Sequence, residues 1–160
     1  MRVKTELSER PPLFTVSREN QLQAVITFYT DVQEVQREDG TAWSAVAWSM
    51  TSSWTDGLEA RVSADTDAWF ALVSARCHAE AAMEARAKRD VLLQATDADM
   101  ALARLNLMPP TGSTFSAWLS FLRTLGEALR SNTAVYRQAL RDVPEQPGFP
   151  YEIEWPEAPK

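Results

Sequence analysis

The sequence predicts an α+β fold: an N-terminal antiparallel β-meander, a long helix, then a small C-terminal helical subdomain with an extended tail. Three observations carry the prediction. Residues 23–36 are rich in β-branched and aromatic side chains and lead to Asp39-Gly40, a dipeptide that tolerates the positive φ of a hairpin turn. Residues 75–88 interleave alanine with Glu, Arg and Lys, all strong helix formers. Pro109-Pro110-Thr111-Gly112-Ser113 then breaks the chain before a run with Phe115, Trp118, Leu119, Leu122, Leu125 and Leu129 at helical spacing.

Residues 1–20 mix charge with Pro11-Pro12 and read as an extended arm, in which Leu13, Phe14 and Val16 can add a short strand or an anchor. The hairpin follows, its returning strand running from Thr41 to Thr51. A two-residue turn at Asp39-Gly40 pairs Glu38 with Thr41. That register puts Phe28, Val32, Trp43, Ala45 and Ala47 on one face, and Tyr29, Val35, Val46, Trp48 and Met50 on the other. Neither face is polar, whereas a sheet wetted on one side alternates cleanly. Two readings stand: a sheet covered by helices on one side and a partner on the other, or a twisted hairpin with some exposed aromatics.

Asp56-Gly57 signals a second turn, and Leu58–Val62 reads as a short third strand. Ser63 or Asp65 can cap the long helix, expected from Thr66 to Gln94, with Asp67 favouring the positive end of its dipole. Trp69, Phe70, Leu72 and Val73 face a core in its first turns. The alanine-rich middle bridges towards a C-terminal bundle, where Val91, Leu92 and Leu93 return to a core. After the proline break comes an amphipathic helix from the Thr114 cap to about Arg130. Ser131–Thr133 forms a joint, and the closing helix Ala134–Asp142 stops at Pro144, which no continuing α-helix tolerates. The expected division is a β-rich region, 1–65, and a helical region with the tail, 66–160.

Composition narrows the function. The formal net charge is −6 and the pI near 4.8, which argues against nucleic acid or an anionic membrane as partner. No apolar run approaches the ~18 residues of a membrane span, and the charged N-terminus lacks a signal-peptide core. A lone cysteine, Cys77, fits a reducing cytoplasm. The odd figure is six tryptophans (Trp43, Trp48, Trp54, Trp69, Trp118 and Trp155) in 160 residues, more than a domain of this size readily buries. Surplus tryptophan points to an interface.

Catalytic groups are scarce. His78 is the only histidine, and on a helix it points about 100° away from its neighbour Cys77, so the two make a poor nucleophile–base pair. One His and one Cys do not assemble a zinc site. Phosphate-loop, dinucleotide and nucleophile-elbow motifs are missing. Asp90, Asp97 and Asp99 read as a solvated helix end, and Glu152 and Glu154 as water-facing. The expectation is a protein without catalytic residues, metal or cofactor, acting through its surfaces.

The last residues are the most specific. Tyr136, Arg137, Leu140, Arg141, Asp142, Val143 and Pro144, then Gly148-Phe149-Pro150, then Trp155-Pro156 and Pro159 form one block. Arg89, Asp90, Leu92, Leu93, Thr96 and Asp97 form another upstream. Together they resemble the pattern of bacteriophage tail fibre assembly proteins and tail assembly chaperones, over roughly a quarter of the chain. Ala98 stands where that pattern often has tryptophan, and about forty residues separate the blocks in place of a short connection. The resemblance implies a chaperone in the bacterial host cytoplasm. Its partner would be a tail fibre or other tail protein, whose folding, trimerisation or attachment it assists. A permanent structural component of tail, baseplate or fibre is the alternative, with retention in the virion. A homo-oligomer is compatible with either. The candidate partner-binding residues are Trp43, Trp48, Tyr136, Arg137, Leu140, Arg141, Phe149, Trp155 and Pro156. Two roles stay open for the closing helix: it plugs its own bundle with Arg141 on a carboxylate, or it joins Trp155-Pro156 in holding a client. The Gly148–Pro159 tail can bind by strand addition or as a polyproline-like segment.

Overall fold

A computed structural model describes residues 1–37, 40–100, 109–112 and 114–159. Four strands and four helices follow in order: β1 (Arg2–Leu7), β2 (Phe14–Arg18), β3 (Gln23–Arg37), β4 (Gly40–Ser53), α1 (Leu58–Ala64), α2 (Thr66–Ala95), α3 (Phe115–Leu129) and α4 (Asn132–Asp142). The architecture is α+β, as the sequence predicts. The chain divides into two compact units, Met1–Ala81 and Ala82–Lys160, and the division falls inside α2.

The first unit is a four-stranded antiparallel sheet in the order β1-β4-β3-β2, so the arm supplies both edge strands. Alternation explains why: Phe14 and Val16 of β2 pair with Phe28 and Ile26 of β3 and extend the same apolar face. Two details of the hairpin differ from the sequence reading. Arg37 pairs with Gly40 and Gln36 with Thr41; Glu38, the expected partner of Thr41, lies outside the described residues. Asp39, half of the expected turn dipeptide, lies outside the described residues.

Second, the register shifts between Thr30 and Gln33. Asp31 there takes a positive φ of 53°, a conformation that Asp tolerates better than most residues. One extra residue exchanges the faces of everything on one side of it. Phe28 therefore pairs with Trp48, not with the Trp43 side, and Ile26 with Met50. Tyr29 moves to the opposite face.

Ala24, Ile26, Phe28 and Met50 thus share one buried face, packed with Leu58 and Val62 of α1 and Val73 and Cys77 of α2. Phe28 meets Phe14 and Phe70 at 5.6 and 5.5 Å between ring centroids. Trp48 stands edge-on to Phe70 and donates its indole N–H to Thr30 Oγ1 at 3.0 Å. The expected third strand at 58–62 is a helix. Leu58 and Val62 lie four apart and both are buried, which is one turn of an α-helix laid on the sheet. Gly57, with φ 75°, starts it. Asp65 caps α2 through Ala68 N–H, but Leu72, expected in the core, points to solvent.

The second unit buries Ala82 and Ala85 of α2, Tyr136 and Leu140 of α4, and Val143 beyond it. Ser131 caps α4 by accepting the Ala134 N–H at 3.2 Å. A 3-10 turn, Val143–Glu145, then takes Pro144 without needing its missing N–H.

Candidate partner-binding surface

Among the described residues no grouping of His, Cys, Asp or Glu could hold a metal ion, and no helix is long and apolar enough to cross a membrane. Cys77 is buried and His78 exposed. Arg76, 3.0 Å from Glu80, holds that carboxyl below the usual carboxylate range. This is an exposed ion pair on a helix, of a kind that contributes little to stability. The surfaces of the second unit carry more.

The tail after α4 is folded onto its own unit. Phe149 N–H donates to Gln146 O, and the Tyr151 and Glu152 N–H groups both donate to Gly148 O. A Cβ at Gly148 would collide with the Glu152 carbonyl, which is why glycine stands there. The Gln146 side chain then closes a larger ring. Its Nε2 donates to Glu154 O at 2.8 Å, and its Oε1 accepts Glu154 N–H at 2.9 Å. One amide side chain thereby mimics a strand neighbour. The α2 helix supplies two cations to the tail's rings: Arg86 lies 5.4 Å from the Phe149 centroid, and Lys88 Nζ 4.2 Å from that of Trp155.

Arg137 joins the two sequence blocks. Its Nη1 donates to Leu93 O at 2.7 Å and to Thr96 Oγ1 at 2.8 Å, and its Nη2 meets Asp97 Oδ1 at 2.8 Å. The Thr96 hydroxyl also donates to Leu93 O. Leu93 O, at the end of α2, also accepts the Thr96 N–H at 3.1 Å, and the guanidinium fork adds a charged donor to it. With its side chain only 13 % exposed, Arg137 acts as an internal tie. An internal carboxylate pair, given to Arg141 in one of the two roles left open for this helix, is made by Arg137, one turn earlier.

The apolar stripe of α3 is different. Phe115 is 82 % exposed, Leu119 58 %, Leu122 55 % and Leu129 61 %, and Trp118 is also exposed. No residue of α3 is buried. The stripe continues through Leu129 into an open groove of about 600 Å³ whose lining includes Val135, Ala139, Gln138 and Arg141. Val135 is itself exposed. The sequence shows the helix and its stripe but not what covers it.

Residues 82–160 match the family described as phage tail assembly chaperone protein, and that span coincides with the second unit. Residues 82–160 belong to this family. No curated protein and no solved structure matches the chain. The family resemblance stated from the two sequence blocks is thereby confirmed.

Within this chaperone unit the residues singled out from sequence fall into two groups. Tyr136 and Leu140 are buried, and Arg137 is held against the end of α2. As folded they offer a partner little surface. Arg141 is exposed on the groove, and Phe149, Trp155 and Pro156 are half-buried along the folded tail. In the first unit Trp48 packs into the core, while Trp43 is half-exposed with the Arg10 guanidinium 5.6 Å from its ring. The α3 stripe was absent from the sequence-based set. Its signal was present in the sequence, in seven large apolar residues and only two charges over 115–129, but nothing there distinguishes a helix facing a core from one facing a partner.

Proposed function

We propose that this tail assembly chaperone holds an apolar segment of a phage tail fibre or other tail protein on the α3 stripe and the adjoining Leu129–Val135–Arg141 groove. It shields that segment until the client's own partners replace it. The observation that carries the reading is the uncovered stripe Phe115, Trp118, Leu119, Leu122 and Leu129 within a family of assembly chaperones. A helix face of this kind is a standard way of capturing another amphipathic segment. The work is burial, needs no cofactor, and suits the cytoplasm of the infected host.

The test is co-expression with the tail or fibre protein encoded beside it. The wild-type chain should raise the yield of soluble, trimeric client, and Leu119→Glu with Leu122→Glu should remove that gain while the chaperone stays folded. An undiminished client yield with the double variant would reject α3 as the contact.

A permanent structural role has one observation in its favour. Residues 1–81 form a sheet unit with its own core, outside the matched span. Mass spectrometry of purified particles separates the readings: a transient chaperone is missing from them, and a structural component is present in fixed ratio.

A further inference from the structure

We infer that, between clients, the α3 stripe is occupied by a second copy of this chain, paired antiparallel along α3. The inference rests on the reading of α3 as the client surface and adds its regulation: client and second copy compete for one face.

Spacing is the first argument. Phe115, Trp118, Leu122, Leu125 and Leu129 recur at alternating intervals of three and four residues over the fifteen residues of α3. That is a heptad seam, which packs against another helix in a left-handed crossing. An extended strand presents side chains with a period of two and fits such a seam poorly.

Area is the second. Phe115, Leu119, Leu122, Leu129 and Val135 are each more than half exposed and Trp118 43 %, which at about 150–200 Å² for a fully exposed large side chain leaves on the order of 600 Å² of apolar surface in water. That is at the upper end of what monomers show in one patch and most of the ~800 Å² per partner of a standard interface.

Charge and shape select the copy. Between Phe115 and Leu129 the charged residues are Arg123 and Glu127, 3.6 Å apart on one helix. A second α3 therefore brings no net charge to the contact. The stripe also tapers, from Phe115 and Trp118 at one end to Leu129 and Val135 at the other. An antiparallel twofold about Leu122 sets the bulky end of each helix against the slender end of its mate, whereas a parallel pair would crowd ring on ring. Self-complementarity under a twofold is what an isologous interface requires.

The experiment is sedimentation equilibrium of the full chain across micromolar concentrations, without client. The expected mass is twice the 17.9 kDa of one chain. Leu122→Glu should raise the dimer dissociation constant by about 30-fold or more. Ser120→Glu, on the opposite face of α3, should leave it unchanged, and circular dichroism checks that both variants fold. Added client should convert the dimer to a complex with one chaperone per client site. A wild-type chain that stays monomeric throughout, or a dimer that survives Leu122→Glu, overturns the inference. Either result leaves client binding by α3 standing. Conversely, a dimer lost on Leu122→Glu beside undiminished client yield supports self-pairing and rejects the client surface alone.

Discussion

The apolar side chains of the closing segment turn inward, while those of α3, in the same unit, turn outward. Tyr136, Leu140 and Val143 are almost fully enclosed, the tail is closed by the Gln146–Glu154 pair, and Arg137 ties the segment to the end of α2. Phe115, Leu119, Leu122 and Leu129 have most of their surface in water. The residues that make the family recognisable are thus largely those that hold the unit together. Under the proposed function, contact with another protein falls to the stretch between the two motif blocks.

Substitutions at four positions test that division, in order of expected effect on stability. Leu140→Ala opens a cavity at a fully buried site and should lower unfolding stability by about 3 kcal/mol in urea titration. A loss under 1 kcal/mol would mean the closing helix is not a core element. Arg137→Ala removes two hydrogen bonds and an ion pair from a charged, mostly buried donor and should lower stability by about 2 kcal/mol. Arg137→Lys should recover only part of this, because an ammonium cannot span Leu93, Thr96 and Asp97 as a planar fork does.

Trp155→Ala should be milder, about 1 kcal/mol, since the ring is half-buried and its stated neighbour is the Lys88 ammonium. A loss near 3 kcal/mol would make Trp155 a full core residue, and an unchanged melting temperature would free it for a partner. Leu119→Gln should change stability by less than about 0.5 kcal/mol while weakening client capture. A large thermal destabilisation there would break the comparison, because α3 would then be facing its own core.

Much of this was legible beforehand, for identifiable reasons. The β3–β4 hairpin, the span of α2 and both C-terminal helices follow from local composition and caps, which survive any tertiary arrangement. Leu58–Val62 was misread because five residues with two apolar ends fit a short strand as well as one helical turn, and only the sheet waiting to be covered decides. The face assignment of Phe28 and Tyr29 failed on one inserted residue, which no alternation pattern reveals. The closing block named a family because its prolines, glycine and paired basic residues are constrained together. Its interior role could not be read, since Tyr136 and Leu140 look alike on a plug and on a hook. The exposure of α3 was hidden for the complementary reason: amphipathicity states that one face avoids water, and leaves open which molecule shields it.

The register shift at Asp31 divides the hairpin into two independent halves. By exchanging faces partway along the hairpin, it separates the proximal half, whose Ala24, Ile26 and Phe28 are answerable to the core, from the distal half beyond Gln33. Changes in the distal half need not preserve the proximal pattern. Substitutions at the end of the hairpin, Trp43 included, therefore leave the alternation that buries Ala24, Ile26 and Phe28 untouched.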